Sequence, residues 1–429
     1  MQILNNPNKN QWSEILKRPT QTVGDIEDIV NRVFSDVRKE GDKAIAKYTE
    51  RFDNVILDNH TITSNELDAA AANVPIALQE AIRLAKQNIE AFHHAQKTTR
   101  IEVETAVGVT CWQEKRPIQN VGLYIPGGTA PLFSTILMLA IPAQLAGCKE
   151  IVLCSPPNKE GHLAPEMLFA AKLCGVTKII KVGGIQAIAG LTFGTETIPQ
   201  VHKIFGPGNQ FVTVAKQIAT KFGVAIDMPA GPSELLVVAD DTANAAYVAS
   251  DLLSQAEHGT DSQVVLVSTS KNFLHKVSEA LEIQVKSLPR RAIAEKAIAN
   301  SKLIYMEHDV VALDLINEYA PEHFIICCEN EDFYVQGIVN AGSVFIGNYT
   351  PESAGDYASG TNHTLPTNGF AKAYSGVNLD SFLKSMTFQK ITQEGLKNIG
   401  PAIELMAAAE GLEAHKNAVS IRLKDIFNY

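Results

Sequence analysis

The sequence predicts an α/β protein with two incomplete doubly wound domains, a helical region before them and a helical tail after them. Apolar residues up to about position 110 recur at three- and four-residue spacing, as on one face of a helix. From Val121 onwards, short apolar runs alternate with Ala-rich helical segments, as in parallel strands covered by helices. The Pro/Gly-rich stretch AIDMPAGPS interrupts this alternation, which then resumes, so we expect two Rossmann-like domains.

The elements follow in chain order. DIEDIVNRVFSDVRKEGDKAIAKY predicts an amphipathic helix interrupted at Gly41, and residues 64 to 96 predict a second helix. The predicted strands of the first domain are VGLYIP, EIVLCSPP, TKIIKVGG and HKIFGPG; those of the second are ELLVVAD, SQVVLVST, KLIYM, HFIICCEN and AGSVFIG. The predicted boundaries are 1–115 for the helical region, packed on the core, 116–232 and 233–370 for the two domains, and 371–429 for the tail.

The tail continues through IELMAAAEGLEAHKNAVSIRL, which predicts a helix outside any finished sheet. Such a helix must bury its apolar face somewhere, and a second subunit is a natural partner. We therefore expect the tail to pack against a partner subunit.

Composition narrows the class of protein. The chain has 37 basic and 47 acidic residues among 429, a net charge of -10, which argues against nucleic acid or an anionic membrane as a partner. No apolar run reaches the roughly eighteen residues of a membrane span, and the start MQILNNPNKNQW does not resemble a signal peptide. We expect a cytoplasmic protein. The six cysteines form no C-x-x-C pair and behave as small apolar residues, with Cys148 and Cys154 as minor candidates for nucleophiles.

Four glycine-rich loops follow the predicted strands or separate the domains. Glycine lets the backbone approach a ligand or phosphate closely, and several such loops indicate a nucleotide-sized ligand at the carboxyl ends of the strands. The G-x-G-x-x-G fingerprint is absent, so a standard dinucleotide grip is not predicted. The loops are Gly127-Gly128, Gly183-Gly184, Gly206-Pro207-Gly208-Asn209 and Gly231-Pro232-Ser233.

Polar residues without a packing role form a candidate metal site. Imidazole and carboxylate ligands without thiolate suit zinc or a similar divalent ion in an open catalytic site. In DLLSQAEHG, Gln255 and His258 share one face of a predicted helix. The other candidates are Asp356 and His363 in the loop PESAGDYASGTNH, and Glu410, Glu413 and His415 in EGLEAHKN, expected on the last helix.

A candidate acid–base pair stands in APEHF, at the entry to a strand. Glu322 and His323 point to opposite sides of an extended backbone, yet both can border a pocket at the end of the strand. Residue types alone leave three chemistries open: an oxidoreductase, a zinc hydrolase, and a thiol route through Cys148 or Cys154. A pure binding protein is disfavoured, because the polar candidates cluster in loops where packing does not require them.

The chain resembles the histidinol dehydrogenases over nearly its whole length. The strings that carry the resemblance are VGLYIPGGTAPLFSTILMLAIPAQLAGCKEIVLCSPP, GPGNQFVTVAK, DMPAGPSE, LLSQAEHG, YAPEHF, SAGDYASGTNH and AAAEGLEAHKNAV. Two small departures are Phe324, where Leu is expected, and Ala320, where Gly is also seen.

The resemblance implies an NAD-dependent oxidation of L-histidinol through L-histidinaldehyde to L-histidine, the last two steps of histidine biosynthesis. It implies one Zn²⁺ per subunit, which positions the substrate, with His323 as the base and Glu322 activating water. The implied zinc ligands are Gln255, His258, Asp356 and His415. The implied substrate contacts are these four together with Ser233, His323, His363 and Glu410, and the implied NAD contacts are Tyr124, Gln186 and Asn209. The resemblance also implies a homodimer whose C-terminal tails are exchanged between subunits, so Glu410 and His415 would complete the site of the partner subunit.

Overall fold

The fold is described from a computed structural model covering residues 1–19, 24–127, 131–229 and 231–427. It divides into two compact units. The first unit comprises Met1–Gln96 and Ile118–Ser381, and the second comprises Lys97–Pro117 and Phe382–Tyr429. Gly128, in one of the predicted ligand loops, lies outside the described residues.

The helices of the described residues are α1 (Trp12–Ile15), α2 (Gly24–Glu40), α3 (Asp42–Asp53), α4 (Ser64–Ala72), α5 (Ile76–Ala95), α6 (Phe133–Ala146), α7 (Pro165–Leu173), α8 (Gly184–Phe193), α9 (Gln210–Thr220), α10 (Ala245–Ala256), α11 (Lys271–Gln284), α12 (Arg291–Ala299), α13 (Asp309–Tyr319), α14 (Glu331–Gly337), α15 (Glu352–Tyr357), α16 (Gln393–Ala409) and α17 (Glu413–Phe427). The strands are β1 (Gln2–Asn5), β2 (Ile101–Ala106), β3 (Val109–Pro117), β4 (Asn120–Tyr124), β5 (Glu150–Cys154), β6 (Lys178–Ile180), β7 (Lys203–Phe205), β8 (Ala225–Ile226), β9 (Glu234–Ala239), β10 (Gln263–Ser268), β11 (Lys302–Tyr305), β12 (His323–Cys327), β13 (Ser343–Ile346) and β14 (Leu383–Ile391).

The first unit contains two parallel sheets, which confirms the predicted α/β class. One sheet has the order β6-β5-β4-β7-β8, and the other has the order β1-β11-β10-β9-β12-β13. From β4 in one sheet and from β9 in the other, the chain moves outward to one side and then returns to the other side of that strand; β1 adds to the edge beside β11. This reversal creates a switch point between β4 and β7 in one sheet and between β9 and β12 in the other.

Both faces of the six-stranded sheet are covered, as expected for a doubly wound domain. Leu235 and Val237 pack in one buried apolar cluster, while the alternate residues Leu236 and Val238 pack in another on the opposite face. Strands buried on both faces read as continuous apolar runs, which is why ELLVVA and QVVLVS are recognisable in the sequence. Among the described residues, no helix has both the length and the apolar character needed to cross a bilayer.

The predicted helical region differs from the structure in three places. Strand β1 joins the six-stranded sheet beside β11, and β2 and β3 form a hairpin, so helix does not extend to residue 110. The helix predicted over 64–96 is broken into α4 and α5, because Pro75 cannot donate a helical hydrogen bond. At Gly41, with φ of 55°, the chain breaks between α2 and α3 as predicted.

The second unit is a three-stranded antiparallel sheet, in the order β14-β3-β2, followed by a pair of helices. Trp112 of β3 stacks on Phe388 of β14, with ring centroids 5.2 Å apart. The terminal helix predicted through Glu410 is interrupted there, because Glu410 ends α16 and Gly411, at φ of 73°, turns the chain into α17. Leu405 and Met406 of α16 are 74% and 67% exposed in the single chain.

Candidate active site

Several of the polar residues predicted to act together lie near the amino ends of β9 and β12, in the first unit. Strand β12 begins at His323, directly opposite Leu235 of β9 in the parallel register. This position corrects the expectation that ligand loops lie at carboxyl ends, since the loop ending in Ser233 enters β9 at its amino end. Ala320 ends α13 in the left-handed conformation, with φ of 52°, and turns the chain towards β12.

His323 is buried, and the contacts of its two ring nitrogens differ. Its Nδ1 lies 3.2 Å from the carbonyl oxygen of Glu234, which can only accept, so Nδ1 carries the hydrogen. Its Nε2 has no hydrogen-bond partner among the described residues and lies 3.8 Å from Oδ1 of Asp356. Burial lowers the pKa of His323 from 6.5 to about 4. The neutral ring therefore presents a free lone pair at Nε2, as a general base must.

Glu322 is also buried, beside His323. One of its oxygens, Oε2, accepts a hydrogen bond of 2.8 Å from the backbone N–H of Glu234 and lies 3.7 Å from Nδ1 of His323. Burial raises the pKa of Glu322 well above its ordinary value, and the neighbouring carboxylates of Glu234 and Asp356 act in the same direction. A carboxyl group with a raised pKa exchanges protons nearer to neutral pH, as acid–base work requires.

Gln255 and His258 lie at the end of α10, as their spacing predicts. The buried amide of Gln255 is oriented so that its nitrogen donates to Oε1 of Glu352 and its oxygen accepts from the Glu234 N–H at 3.0 Å. His258 is exposed to solvent in the single chain. Desolvation by the surrounding protein atoms nevertheless lowers the pKa of its imidazole, which favours the neutral ring. An amide oxygen and a neutral imidazole at one helix end are both competent metal ligands.

Asp356 and His363 complete the group within the first unit. Oδ1 of Asp356 lies 3.7 Å from Nδ1 of His363, and that nitrogen is 3.0 Å from the Asp356 carbonyl oxygen. Nε2 of His363 lies 3.2 Å from Oγ1 of Thr135, on α6. His363 thus connects the six-stranded sheet's loops to a helix that follows β4 of the other sheet. Ser233, another predicted contact, immediately precedes β9 and is partly exposed.

Sequence reasoning missed Glu352, which is 1% exposed. Its Oε1 lies 3.9 Å from Nδ1 of His323, and its Oε2 has no hydrogen-bond partner among the described residues. Burial raises its pKa well above the ordinary value, and the charges of Asp356 and Glu322 raise it further. The spacing of Glu352 and Asp356, four residues apart on one helix face, was the signal available in the sequence.

The group is rich in carboxylates and suited to a cation. In the described part of the chain, the ion pairs of Glu322, Glu352 and Asp356 are with histidines, not with Lys or Arg. His323, Glu352 and Asp356 each offer a ligand atom, and these atoms lie within 4.8 Å of one another. Buried carboxylates of this kind require a compensating positive charge or a proton. Asp356 is the predicted zinc ligand that belongs to this trio. A second predicted ligand, Gln255, contacts Glu352 of the trio.

Glu410 and His415 belong to the second unit. Glu410 caps the end of α16, and His415 lies in the first turns of α17; both side chains are exposed in the single chain. Their part in the site therefore stays a prediction from the resemblance.

A cavity of about 730 Å³ opens at the carboxyl ends of β4 and β7, the switch point of the five-stranded sheet. Tyr124 and Asn209, two of the predicted NAD contacts, line it. The Tyr124 hydroxyl accepts a hydrogen bond of 3.1 Å from the Gly184 N–H, and Asn209 caps α9 by accepting from the Val212 N–H. The third predicted contact, Gln186, is fully buried on α8.

A buried ion pair supports the loop that carries Asn209. Nζ of Lys216 lies 2.5 Å from Oδ1 of Asp227 and donates to the Gly206 carbonyl oxygen at 2.7 Å. Asp227 accepts in turn from the Gly206 N–H. A Cβ on Gly206 would lie 2.0 Å from the Tyr124 carbonyl oxygen, so only glycine allows this close approach.

The two candidate thiols are poor nucleophiles. Cys154 is fully buried at the end of β5, and burial raises the pKa of its thiol. Burial also raises the pKa of Cys148 to about 12. Because the thiolate is the reactive form, neither residue supports a thiol route at neutral pH.

Comparison with known proteins agrees with the fold and the site. The family model described as histidinol dehydrogenase matches residues 16–423. The chain is 57% identical to the histidinol dehydrogenase of Bacteroides thetaiotaomicron over 99% of this chain and 100% of that protein. It is 52% identical to the chloroplastic histidinol dehydrogenase of Arabidopsis thaliana, over 97% and 90% of the two chains.

A solved structure gives the same result. The crystal structure of histidinol dehydrogenase from Elizabethkingia anophelis superimposes with a TM-score of 0.97 and 56% identity, covering 99% of this chain and 98% of that one. Because the family model, the relatives and the solved structure all match nearly the whole chain, the chain is an enzyme of the histidinol dehydrogenase family.

Proposed function

We propose that the protein oxidises L-histidinol to L-histidine through L-histidinaldehyde, using NAD as the oxidant, in the last two steps of histidine biosynthesis. The relatives' names supply the substrate class. The observation that carries the proposal is the neutral, buried His323. Its Nε2 has no hydrogen-bond partner among the described residues and lies 3.8 Å from Asp356, while its Nδ1 lies 3.7 Å from Glu322. Alcohol oxidation needs a base of this kind at the hydroxyl.

The residues would act in two stages. His323 would take the hydroxyl proton of L-histidinol through Nε2. NAD, when bound, accepts the hydride that leaves the carbinol carbon, once for the alcohol and once more for the hydrated aldehyde. Between the two oxidations, Glu322 would take a proton from the water that adds to the aldehyde carbonyl. Because burial raises the pKa of Glu322, its carboxylate is a stronger base towards this water than an ordinary carboxylate.

Three of the four predicted zinc ligands belong to the first unit, and His415 belongs to the second. Gln255, His258 and Asp356 would hold the ion, with His415 as the fourth ligand. The site's unpartnered atoms and excess of carboxylates favour a bound cation. When bound, Zn²⁺ would orient the imidazole and amine of the substrate, the templating role of a catalytic metal.

The remaining predicted contacts have separate tasks. Ser233, His363 and Glu410 would contact the substrate. Tyr124, Gln186 and Asn209 would contact NAD at the carboxyl ends of the five-stranded sheet, where open α/β sheets bind nucleotides.

A homodimer would bring His415 and Glu410 to the site of the partner subunit. The exposed apolar residues of the second unit, including Leu405, Met406 and Ile421, support such an exchange, because isolated chains rarely leave several of them uncovered. The predicted domain boundaries and the cytoplasmic location stay predictions.

The proposal is tested by mixing the purified protein with L-histidinol and NAD and following reduced nicotinamide. We expect reduction that chelation abolishes and added Zn²⁺ restores. A zinc hydrolase would form no reduced nicotinamide, and this result would refute the proposal. The Cys154→Ser variant serves as a control for the thiol route and is expected to keep its activity, because this thiol is buried and unreactive.

A further inference from the structure

Asp53 is an acidic residue whose position local structure does not explain. It is the last residue of α3 and lines the 730 Å³ cavity next to Phe52. A carboxylate at the C-terminal end of a helix meets the negative end of the helix dipole. Burial also disfavours its charged form and raises the pKa of Asp53 to about 6. The helix dipole and burial therefore both disfavour the ionised form of the Asp53 carboxyl group.

The contacts of Asp53 connect it to the predicted nucleotide site. Nε2 of Gln186 donates a hydrogen bond of 3.3 Å to Oδ2 of Asp53. The negative charge of Asp53 also contributes to the raised pKa of the Tyr124 hydroxyl. In the described part of the chain, Asp53 has no Lys or Arg ion-pair partner, and its Oδ1 accepts no hydrogen bond. The carboxylate is therefore held by one amide and retains capacity to accept hydrogen bonds from a ligand.

The described lining of the cavity around Asp53 is unfavourable for binding an additional phosphate group. No Lys or Arg is found among the described residues that line it, and His162 is the single lining side chain that could become positively charged. Most of the other lining side chains are apolar, including Phe52, Pro156 and Phe211. A cavity with an anion and without a fixed cation favours a neutral hydroxyl over a phosphate dianion.

We infer that Asp53 determines the choice of nucleotide, accepting hydrogen bonds from the hydroxyl groups of a ribose and repelling a 2′-phosphate, so that NAD is used and NADP is rejected. A carboxylate can accept from both hydroxyls of a vicinal diol, whereas the phosphorylated ribose places a second anion beside it. Gln186, fully buried, acts as the positioning residue for this carboxylate. The inference rests on the proposed function and assigns the selectivity of that same nucleotide site.

The test compares Asp53→Asn and Asp53→Ala with the wild-type enzyme. For each, kcat/KM is measured with NAD and with NADP at saturating L-histidinol. We expect the ratio of the two values to fall at least tenfold in both variants, mainly through the KM values. The ratio is measured within one preparation, so it does not depend on the folded fraction. Glu50→Gln, which removes an exposed acid from the same helix, is the matched control and should keep the wild-type ratio.

Binding of NADH and NADPH, followed by nucleotide fluorescence, gives a second measurement independent of turnover. An unchanged ratio in both Asp53 variants, with a wild-type enzyme that oxidises L-histidinol with NAD, overturns the inference and leaves the proposed function intact. A wild-type enzyme that reduces neither nucleotide overturns the proposed function itself.

Discussion

Replacing Asp53 with Asn should stabilise the free protein while it damages nucleotide selectivity. Burial raises the pKa of Asp53 from 3.8 to about 6, so the folded chain holds the ionised carboxylate less readily than the unfolded chain does. The isosteric amide of Asn removes this charge, and its oxygen can still accept from Gln186. The direction of the effect is therefore a gain in stability wherever Asp53 is ionised.

The magnitude follows from the two pKa values. Their difference corresponds to about 3 kcal/mol once both states are ionised, and solvent screening of this partly exposed group reduces it to roughly 1–2 kcal/mol. The destabilisation by Asp53 is fully present above the folded pKa of about 6, falls as the pH drops, and vanishes below 3.8. For a chain of this length, the gain corresponds to an increase of about 1–2 °C in the unfolding midpoint.

The assay is thermal unfolding of wild type, Asp53→Asn and Glu50→Gln at pH 8 and at pH 5, without nucleotide. We expect Asp53→Asn to melt higher at pH 8, with about half of that gain remaining at pH 5. Glu50→Gln should match the wild type at both values. A variant that melts lower than the wild type at pH 8 would refute the reasoning, because Asp53 would then contribute a favourable interaction in the free protein.

Four further predictions concern the polar group of the first unit and the shared site. His323→Asn should lower kcat about 10²-fold or more with little change in the KM for L-histidinol, and steady-state kinetics that show wild-type turnover would exclude His323 as the base. His258→Ala should purify with much less zinc than the wild type by elemental analysis; equal occupancy would remove it from the ligand set. Glu352→Gln should weaken zinc binding by roughly tenfold in a competition with a chelator, because its carboxylate holds the Gln255 amide, and unchanged affinity would show that this contact does not matter. Mixing His415→Ala with Glu322→Gln subunits should restore part of the activity that each lacks, whereas a mixture as inactive as its components would contradict a site shared between subunits.

The sequence was informative wherever local pattern determines structure. The runs ELLVVA and QVVLVS are apolar on both faces of the sheet, so they could be recognised as buried parallel strands. Likewise, Gly41 breaks a helix because its backbone takes a conformation with positive φ. The hairpin of β2 and β3 was not foreseen, because its exposed strands contain polar residues at many positions that an apolar strand pattern would not predict.

The site illustrates what a single sequence leaves undetermined. The residue types at 322, 323 and 356 indicate acid–base and metal chemistry, but nothing local brings Asp356 of α15 beside the amino end of β12. The position of His323 depends on the parallel register of β9 and β12, whose starts are separated by most of a domain along the chain. Asp53 could not be assigned either, since its contact with Gln186 joins residues 133 positions apart.

The most direct test of the proposed chemistry is the yield of the complete reaction. With L-histidinol limiting and NAD in excess, the enzyme should form two reduced nicotinamides and one L-histidine for each L-histidinol consumed, because Glu322 and His323 would serve both oxidations at one site. A yield of one reduced nicotinamide, with the aldehyde released as the final product, would contradict the account.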